Sequence, residues 1–583
     1  MSQAEVFIGI DLGTTTTLLA RSFPAPSGKI NAKVLEIEQG SNNQKKLTYL
    51  PSVAYFPENG NPLVGLEAEI VGPQQDLSRY VRAIKRYMGL ELPFPVAGKQ
   101  PRDVSALFLA HALNSGKKSF PEPKLVFTVT VPASFTSNQR ADTLLALQKA
   151  CTDAHLPYPA EDEDRLFISE PVAAMLAFLN DEISDPRTNI DFAKLNRFIV
   201  YDLGGGTLDL TRVCFDPDSQ KVPDGAPADK LTDLNIYIEE ISPYTPFGGE
   251  DFDRELAKWL HTDILQQYPE LANLQLSDNE RKAVYWQLMR EAKLLKEKLS
   301  TEILSQRESN VSSLLEAADP EVEYDIEALR IQSKSYDRYN LKLTEKQYRQ
   351  ILGNLLIDNS LVEDAQDYSK NLLSPLKRFM AKMGLLTADL DGLLIVGGAA
   401  RLPLVMEALK SYWNNKQVFV YNPPDHAVVK GAAIYSYLRT LTDFSLAEPA
   451  ADAYYVRLKD TFDLLLQSKD RSFAPKKKYN LTSSGNRFSL QIFAGEQLSD
   501  GVNIRKHLQP EDLEKVLPTL IYQGSTVVRF GEDYPKDTPV WIQMHYQDEG
   551  RDSTKVPWVT VSIQEESNIV FNDSYSKLIH TEA

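Results

Sequence analysis

Apolar residues in this chain gather in short runs that break at glycine. Phe198–Thr211 reads F-I-V-Y-D-L-G-G-G-T-L-D-L-T. Phe198, Ile199, Val200 and Tyr201 form the continuous apolar run of a buried strand. Gly204, Gly205 and Gly206 supply a tight turn whose bare amides can approach an anion. Taken by itself the stretch reads first as an ordinary hairpin closed by glycines. It has a near copy at Val6–Leu19, V-F-I-G-I-D-L-G-T-T-T-T-L-L, and a third relative at Leu393–Arg401, L-L-I-V-G-G-A-A-R, ahead of the helical pattern Leu404–Trp413. Three strand-to-glycine turns, two of them near copies, predict a duplicated α/β fold whose halves each aim one phosphate loop at a shared cleft.

Between these runs the pattern alternates. Pro51–Phe56 and Leu125–Val131 read as strands and Val104–Leu113 as a helix, the α/β signature. A helix is expected from near Ser137. Pro171 suits the first turn of another within Phe167–Leu179, which sets Glu170 at a strand–helix junction, where a capping role and a chemical one are both open. Asp216–Asp233 reads as an exposed loop. Phe247–Asp253, F-G-G-E-D-F-D, opens a helix through Leu260. In the helix Trp286–Ser300, Leu288, Ala292, Leu295 and Leu299 share one face, and Lys293, Lys296 and Ser300 share another, solvated unless a ligand cleft lies beside it. Thr344–Leu385 reads as helical, opened by a capping box of Thr344 and Gln347. Pro423–Tyr437 reads as a loop entering a closing helix.

Leu441–Asp452 has the small, acidic character of a linker. Beyond it the period becomes two: Phe488–Ile492, Val540–Met544 and Val559–Ile563 alternate as half-buried antiparallel strands do. Lys476–Lys478 suits a solvated strand edge. A small β domain is therefore expected after the α/β part.

Composition narrows the function classes. The 583 residues allow roughly three or four domains or subdomains. Lys+Arg 63 against Asp+Glu 80 gives a net charge of −17, which disfavours non-specific binding to nucleic acid or anionic membrane. Cys151 and Cys214 are the only cysteines, so neither a disulfide framework nor a zinc cluster is expected, and each reads as a small buried apolar residue. With no signal-peptide pattern and no run of about 18 apolar residues, a cytoplasmic protein without a membrane span is expected. The candidate chemistry is phosphate chemistry. Asp202 at the mouth of its strand can hold a water or hydrated magnesium, with the Thr207 hydroxyl facing the same oxygens.

The chain resembles the 70-kDa heat-shock chaperones (DnaK-like), within the actin-like ATPase superfamily. The segments that carry the resemblance, in family order over roughly the first 440 residues, are I-G-I-D-L-G-T-T at 8–15, A-I-K-R at 83–86, T-V-P-A-S-F-T-S-N-Q-R at 130–140, E-P-V-A-A at 170–174, Y-D-L-G-G-G-T-L-D at 201–209, G-G-E-D-F-D at 248–253, V-G-G-A-A-R-L-P at 396–403 and G-A-A at 431–433. Sugar kinases and actin-like filament proteins would share the phosphate loops but not A-I-K-R or G-G-E-D-F-D.

The resemblance implies a duplicated actin-like ATPase fold of two ribonuclease-H-like lobes over residues 1–440 (lobe I about 1–197, lobe II about 198–395, a closing segment 396–440), a linker at 441–453, and a β domain at 454–583 resembling a lidless substrate-binding domain. It implies ATP/ADP as ligand with Mg2+, and K+ as an optional second cation. Asp11 and Asp202 would hold the hydrated metal, with Gly13, Thr14, Thr15, Gly204, Gly205 and Gly206 on the phosphates. Lys85 and Glu170 would orient the attacking water, with Asp202 and Thr207 completing the catalytic group. Gly248, Gly249 and Glu250 would join the nucleotide site. Gly397, Gly398, Ala399 and Arg401 would flank the adenosine, opposite Lys293, Lys296 and Ser300, with Asp425 closing that side.

The departures lie away from the phosphates. Lys293 stands where the family has a ribose-gripping glutamate, and Ala399 and Ala400 where it has polar residues. Leu166 and Ser169 replace the arginine and asparagine that meet a J-domain protein. The family's acidic, leucine-rich linker has only a faint echo in Asp460–Leu466, and the roughly twenty residues after Ile563 are too few for a helical lid. The expected function is a slow ATP-hydrolysing chaperone that couples nucleotide state to a polypeptide client, with a J-domain protein and a nucleotide-exchange factor as the family's partners. The alternative is a nucleotide-sensing scaffold with negligible turnover that recruits a dedicated protein partner. A metabolite kinase would need a sugar or acid site that the inserted segments do not show.

Overall fold

The computed structural model describes residues 5–25, 29–40, 45–89, 99–119, 124–133, 135, 137–159, 166–242, 245–310, 319–332, 334–356, 371–413, 417–441, 444, 446, 453–458, 461–466, 477–480, 484–495, 520–548 and 555–563. Most of the expected linker, together with Lys476, Asp460 and everything after Ile563, lies outside them. The chain divides into two compact units, Met1–Val131 with Asp142–Ile236 and Glu240–Leu441, and Pro132–Ala141 with Tyr237–Glu239 and Thr442–Ala583.

The first unit is mixed α/β, built on two large sheets. In one, β1 (Glu5–Leu12), β2 (Thr16–Pro24), β3 (Ile30–Val34), β4 (Lys124–Val131) and β5 (Phe167–Ser169) lie in the order β5-β4-β1-β2-β3, with Leu50–Pro51 also pairing with β2. In the other, β6 (Asn196–Leu203), β7 (Leu208–Pro217), β8 (Leu234–Ile241), β9 (Gly392–Val396) and β10 (Val418–Val420) lie in the order β8-β7-β6-β9-β10. Read from the central strand outward, the two orders are the same. β1 runs antiparallel to β2 and parallel to β4, and β6 antiparallel to β7 and parallel to β9. Both central strands are buried almost along their length, as strands covered on both faces must be. Each sheet has its own core, one around Ile8, Ile10, Phe127 and Val129 and one around Ile199, Tyr201, Leu393 and Ile395.

Five helices position the site: α1 (Leu66–Val71), α2 (Glu170–Glu182), α3 (Gly249–Gln267), α4 (Asp278–Asn310) and α5 (Ala427–Leu438). Pro171 does sit in the first turn of α2. The two motif helices α2 and α5 touch at Gly431, where an added Cβ would lie 1.7 Å from the Ala173 carbonyl oxygen. That oxygen is backbone and cannot retreat. Gly431→Ala is therefore expected to cost about 3 kcal/mol or more, seen as a lowered unfolding midpoint; an unchanged midpoint would contradict this packing.

Three expectations are corrected. The helices opening at Gly249 and around Trp286 are longer than their apolar patterns suggested, ending at Gln267 and spanning Asp278–Asn310. The single helix expected over Thr344–Leu385 is broken. Its capping box is present, with the Gln347 N–H donating to Thr344 Oγ1 at 3.2 Å, but the first helix stops at Leu352 because Gly353 takes a left-handed φ of 38°. A new helix, Ser374–Lys382, starts on Pro375. Ahead of it lies an unanticipated antiparallel pair, Glu321–Ile331 with Lys334–Thr344, whose alternating Val322, Tyr324 and Ile326 were a readable strand signal.

In the second unit the described strands form two antiparallel sheets. One has the order Thr461–Leu466, Ala453–Leu458, Gly485–Gly495, Leu520–Tyr534, so the leucine-rich echo of the family linker is an edge strand. The other has the order Lys477–Asn480, Pro539–Asp548, Lys555–Ile563. Val540 and Ile542 are buried and Trp541 half-buried, the alternation expected of this stretch. Lys478 is exposed on an edge strand, its ammonium 5.5 Å from the Trp541 ring centroid.

Candidate nucleotide site

Both aspartate–leucine–glycine segments end a central strand and turn in the same way. The Gly13 N–H donates to the Thr16 carbonyl at 2.9 Å, and the Gly204 N–H to the Thr207 carbonyl at 2.9 Å. Both stretches are therefore hairpin turns closed by glycine. The turns face each other: a Cβ on Gly205 would fall 2.5 Å from Thr15 Oγ1. The third glycine pair closes on the same point. Gly397, at a φ of 93°, has its missing Cβ 2.5 Å from Asp202 Oδ1, so only glycine fits there.

Other elements clamp the glycine turn. Its first two carbonyls, Gly204 and Gly205, accept from the N–H groups of Gly249 and Glu250 at the start of α3, at 3.0 and 2.6 Å. Arg86 Nη2 donates to the third carbonyl, Gly206, at 2.9 Å. Glu250 is held in turn by Arg82 at 3.1 Å, whose guanidinium lies 4.5 Å from the Trp286 ring centroid on α4. Among the described residues, the N–H groups of Gly205 and Gly206 have no protein partner. A rigid turn with unspent amides is an anion cradle.

Beside this turn sits a crowd of buried charge. Lys85, only 5 % exposed, is ion-paired with Glu170. Burial opposes its charge, but Glu170 and Asp11 outweigh that and raise its pKa. Thr130 Oγ1 donates to Asp11 Oδ1 at 2.8 Å. Burial and the Glu170 charge push the Asp11 carboxyl up, against the pull of Lys85. Burial, then Glu170, Asp209 and Asp11, raise Asp202 well above the carboxylate range. Asp209 is pushed up to about 7 by burial and Glu170, despite Lys85 and a hydrogen bond from Thr207.

Expected Lys85, Glu170, Asp11, Asp202 and Thr207 are therefore gathered in one place. The sequence reading missed Asp209, although the register pairs it directly across from Asp202. Like charges facing each other across strands are unfavourable, and the pair was legible once the turn length was set. In the N-terminal copy the residue opposite Asp11 is Leu18, so the second acid belongs to one turn only.

The residues present suit a hydrated magnesium. Among the described residues no group of three or more His, Cys, Asp or Glu is arranged to hold a bare ion, but Mg2+ is commonly held through one or two carboxylates, water and substrate phosphate. Asp11 and Asp202, each raised by burial and then by neighbouring negative charge, are such carboxylates.

The other end of the site is assembled differently from expectation. Gly249, Ala399 and Lys296 do meet Gly205: a Cβ on Gly249 would lie 3.3 Å from Ala399 Cβ, 3.6 Å from Gly205 Cα and 3.6 Å from Lys296 Nζ. Gly398 abuts Asp425. Lys293, however, is turned to Glu69 of α1, with 3.2 Å between ammonium and carboxylate. Burial opposes the Lys293 charge, and Glu69 and Tyr49 hold its pKa raised nonetheless. Glu69, Arg82 and Arg86 were not anticipated, because their partners lie more than a hundred residues away in sequence.

A clamped glycine turn with unspent amides, set against a lysine–carboxylate cluster between two sheets of the same strand order, is the central feature of this mixed α/β unit. The family model described as Hsp70 protein matches residues 7–496, and the chain belongs to that family. Proteins named "Chaperone protein DnaK" from Thermotoga petrophila, Thermotoga maritima and Thermotoga sp. strain RQ2 are each 27 % identical over 436 residues. The match covers 74 % of this chain and 59 % of each relative. No helix among the described residues is long and apolar enough to cross a membrane.

Proposed function

We propose that the chain binds and slowly hydrolyses ATP and couples the nucleotide state to binding of a polypeptide by its C-terminal strands. In this reading the two like-ordered sheets are the halves of a duplicated actin-like fold, residues 1–440 are the nucleotide-binding domain, and residues 454–583 the polypeptide-binding one. The observation that carries it is the Lys85–Glu170 ion pair buried against Asp11, Asp202 and Asp209 at the glycine turn.

The division of labour follows from chemistry. Phosphoryl transfer to water needs positioning and charge neutralisation. The unspent amides of Gly205 and Gly206, with Thr14 and Thr15 opposite, hold the phosphate chain. Lys85 places a compact positive charge at the end of that chain, and Glu170 fixes the lysine and accepts a hydrogen bond from the attacking water. Thr207 and Asp209, already hydrogen-bonded to each other, orient that water and receive its proton, for which a carboxyl near 7 is suited at neutral pH. Magnesium, when bound through Asp11 and Asp202, supplies charge neutralisation for the phosphates.

The pairing of Lys293 with Glu69 supports a second reading, a scaffold that binds nucleotide with negligible turnover. Turnover of Mg2+–ATP by the full chain, with and without an extended apolar peptide, separates the two. Hydrolysis stimulated several-fold by peptide is the expected result, and no phosphate release beyond the enzyme-free rate favours the scaffold.

A further inference from the structure

Resting on the nucleotide reading above, we propose that the cleft takes nucleoside triphosphates as a class, recognising the triphosphate and discriminating little between bases or between ribose and deoxyribose. To read a base edge or a sugar hydroxyl, a site must keep donors and acceptors in reserve for it. The polar side chains that the resemblance assigns to the nucleoside end are already engaged within the protein. Lys293 is held by Glu69 at 3.2 Å. Lys296 is held by Asp253 at 2.6 Å and donates to the Gly249 carbonyl at 3.3 Å. Ser300 Oγ donates to the Lys296 carbonyl at 2.8 Å. Arg401 Nε donates to Asp425 Oδ1 at 2.7 Å. Ala399 and Ala400, which carry no polar side-chain atom, follow the paired glycines.

Recruiting Lys293 or Lys296 would strip a partner from a carboxylate with little water around it. The Glu69 side chain is 11 % exposed and that of Asp253 8 %, so a vacated carboxylate there would be left nearly dry. Arg401 differs in being 51 % exposed. Its flat guanidinium can stack on a base, and stacking tolerates every base because each has a π face. At the other end of the cleft the order is reversed. The amides of Gly205 and Gly206 are unspent, and three carboxylates there are raised in pKa by burial and then by the Glu170 charge.

Calorimetric titration of the full chain in Mg2+ buffer with ATP, dATP, GTP and inorganic tripolyphosphate tests this. ATP, dATP and GTP are expected to bind within about fivefold of one another, whereas a site that hydrogen-bonds the distinguishing group rejects the analogue by ~10⁴-fold. Tripolyphosphate is expected to compete with all three. A preference for ATP over GTP or dATP of about a hundredfold or more overturns the inference while leaving nucleotide binding in place. Failure of all four to bind overturns the nucleotide reading itself, and this inference with it.

Discussion

Lys85→Ala is expected to lower ATP turnover by at least ~10²–10³-fold, the scale seen when one electrostatic stabiliser of a developing charge is removed, while nucleotide affinity stays within about threefold. The asymmetry follows from where the binding energy lies. In the proposed reading the phosphate chain is held by loop amides and by metal, whereas Lys85 acts on the Asp11, Asp202 and Asp209 carboxyls alike and would sit at the reacting end. Its loss also leaves Glu170 buried without its counter-ion, so some destabilisation accompanies the catalytic defect. Lys85→Met with Glu170→Gln removes both charges and separates the two effects. The double variant should recover most of the unfolding midpoint and none of the turnover. Turnover unchanged in Lys85→Ala would remove this lysine from the reaction.

The site was legible where chemistry is local in sequence and illegible where it is assembled from afar. A strand, an acid and a run of glycines lie within one stretch, so Asp202 and Thr207 could be placed from pattern, and Asp11, Lys85 and Glu170 from the resemblance. Arg82 and Arg86 lie beside Lys85, yet their partners, Glu250 and the Gly206 carbonyl, come from the other sheet's loops. Nothing in periodicity announces such pairs. Lys293 shows the opposite failure. The resemblance set its helical face toward the adenosine, but its partner is Glu69, whose short helix α1 carried no signal of its own. In the fold, the break at Gly353 was missed because glycine within an apolar pattern is a weak stop unless its φ is known.

Without ligand or metal, the protein is expected to lose thermal stability as pH rises from about 5.5 to about 8, opposite to the usual behaviour of salt-bridged carboxylates. An aspartate in the unfolded chain titrates near 3.9; Asp209 in the folded chain titrates at about 7, and Asp11 and Asp202 are also raised. A carboxyl with a raised folded pKa binds its proton more tightly when folded. Its contribution to stability is fully present below about 3.9 and is lost as pH climbs through the folded value. The upward shift at Asp209 corresponds to a ceiling on the order of 4 kcal/mol, and the expected fall in melting temperature is a few degrees. Magnesium, when held through Asp11 and Asp202, would compete with their protons, so the stabilisation by Mg2+–ADP should be larger at about pH 8 than at about pH 5.5. Asp209→Asn keeps the shape and removes the titration. Its melting temperature in the absence of ligand should rise at the higher pH and its pH slope should flatten. A slope identical to that of the unaltered chain would mean that Asp209 does not titrate in this window, which would take away the near-neutral carboxyl proposed to receive the proton from water.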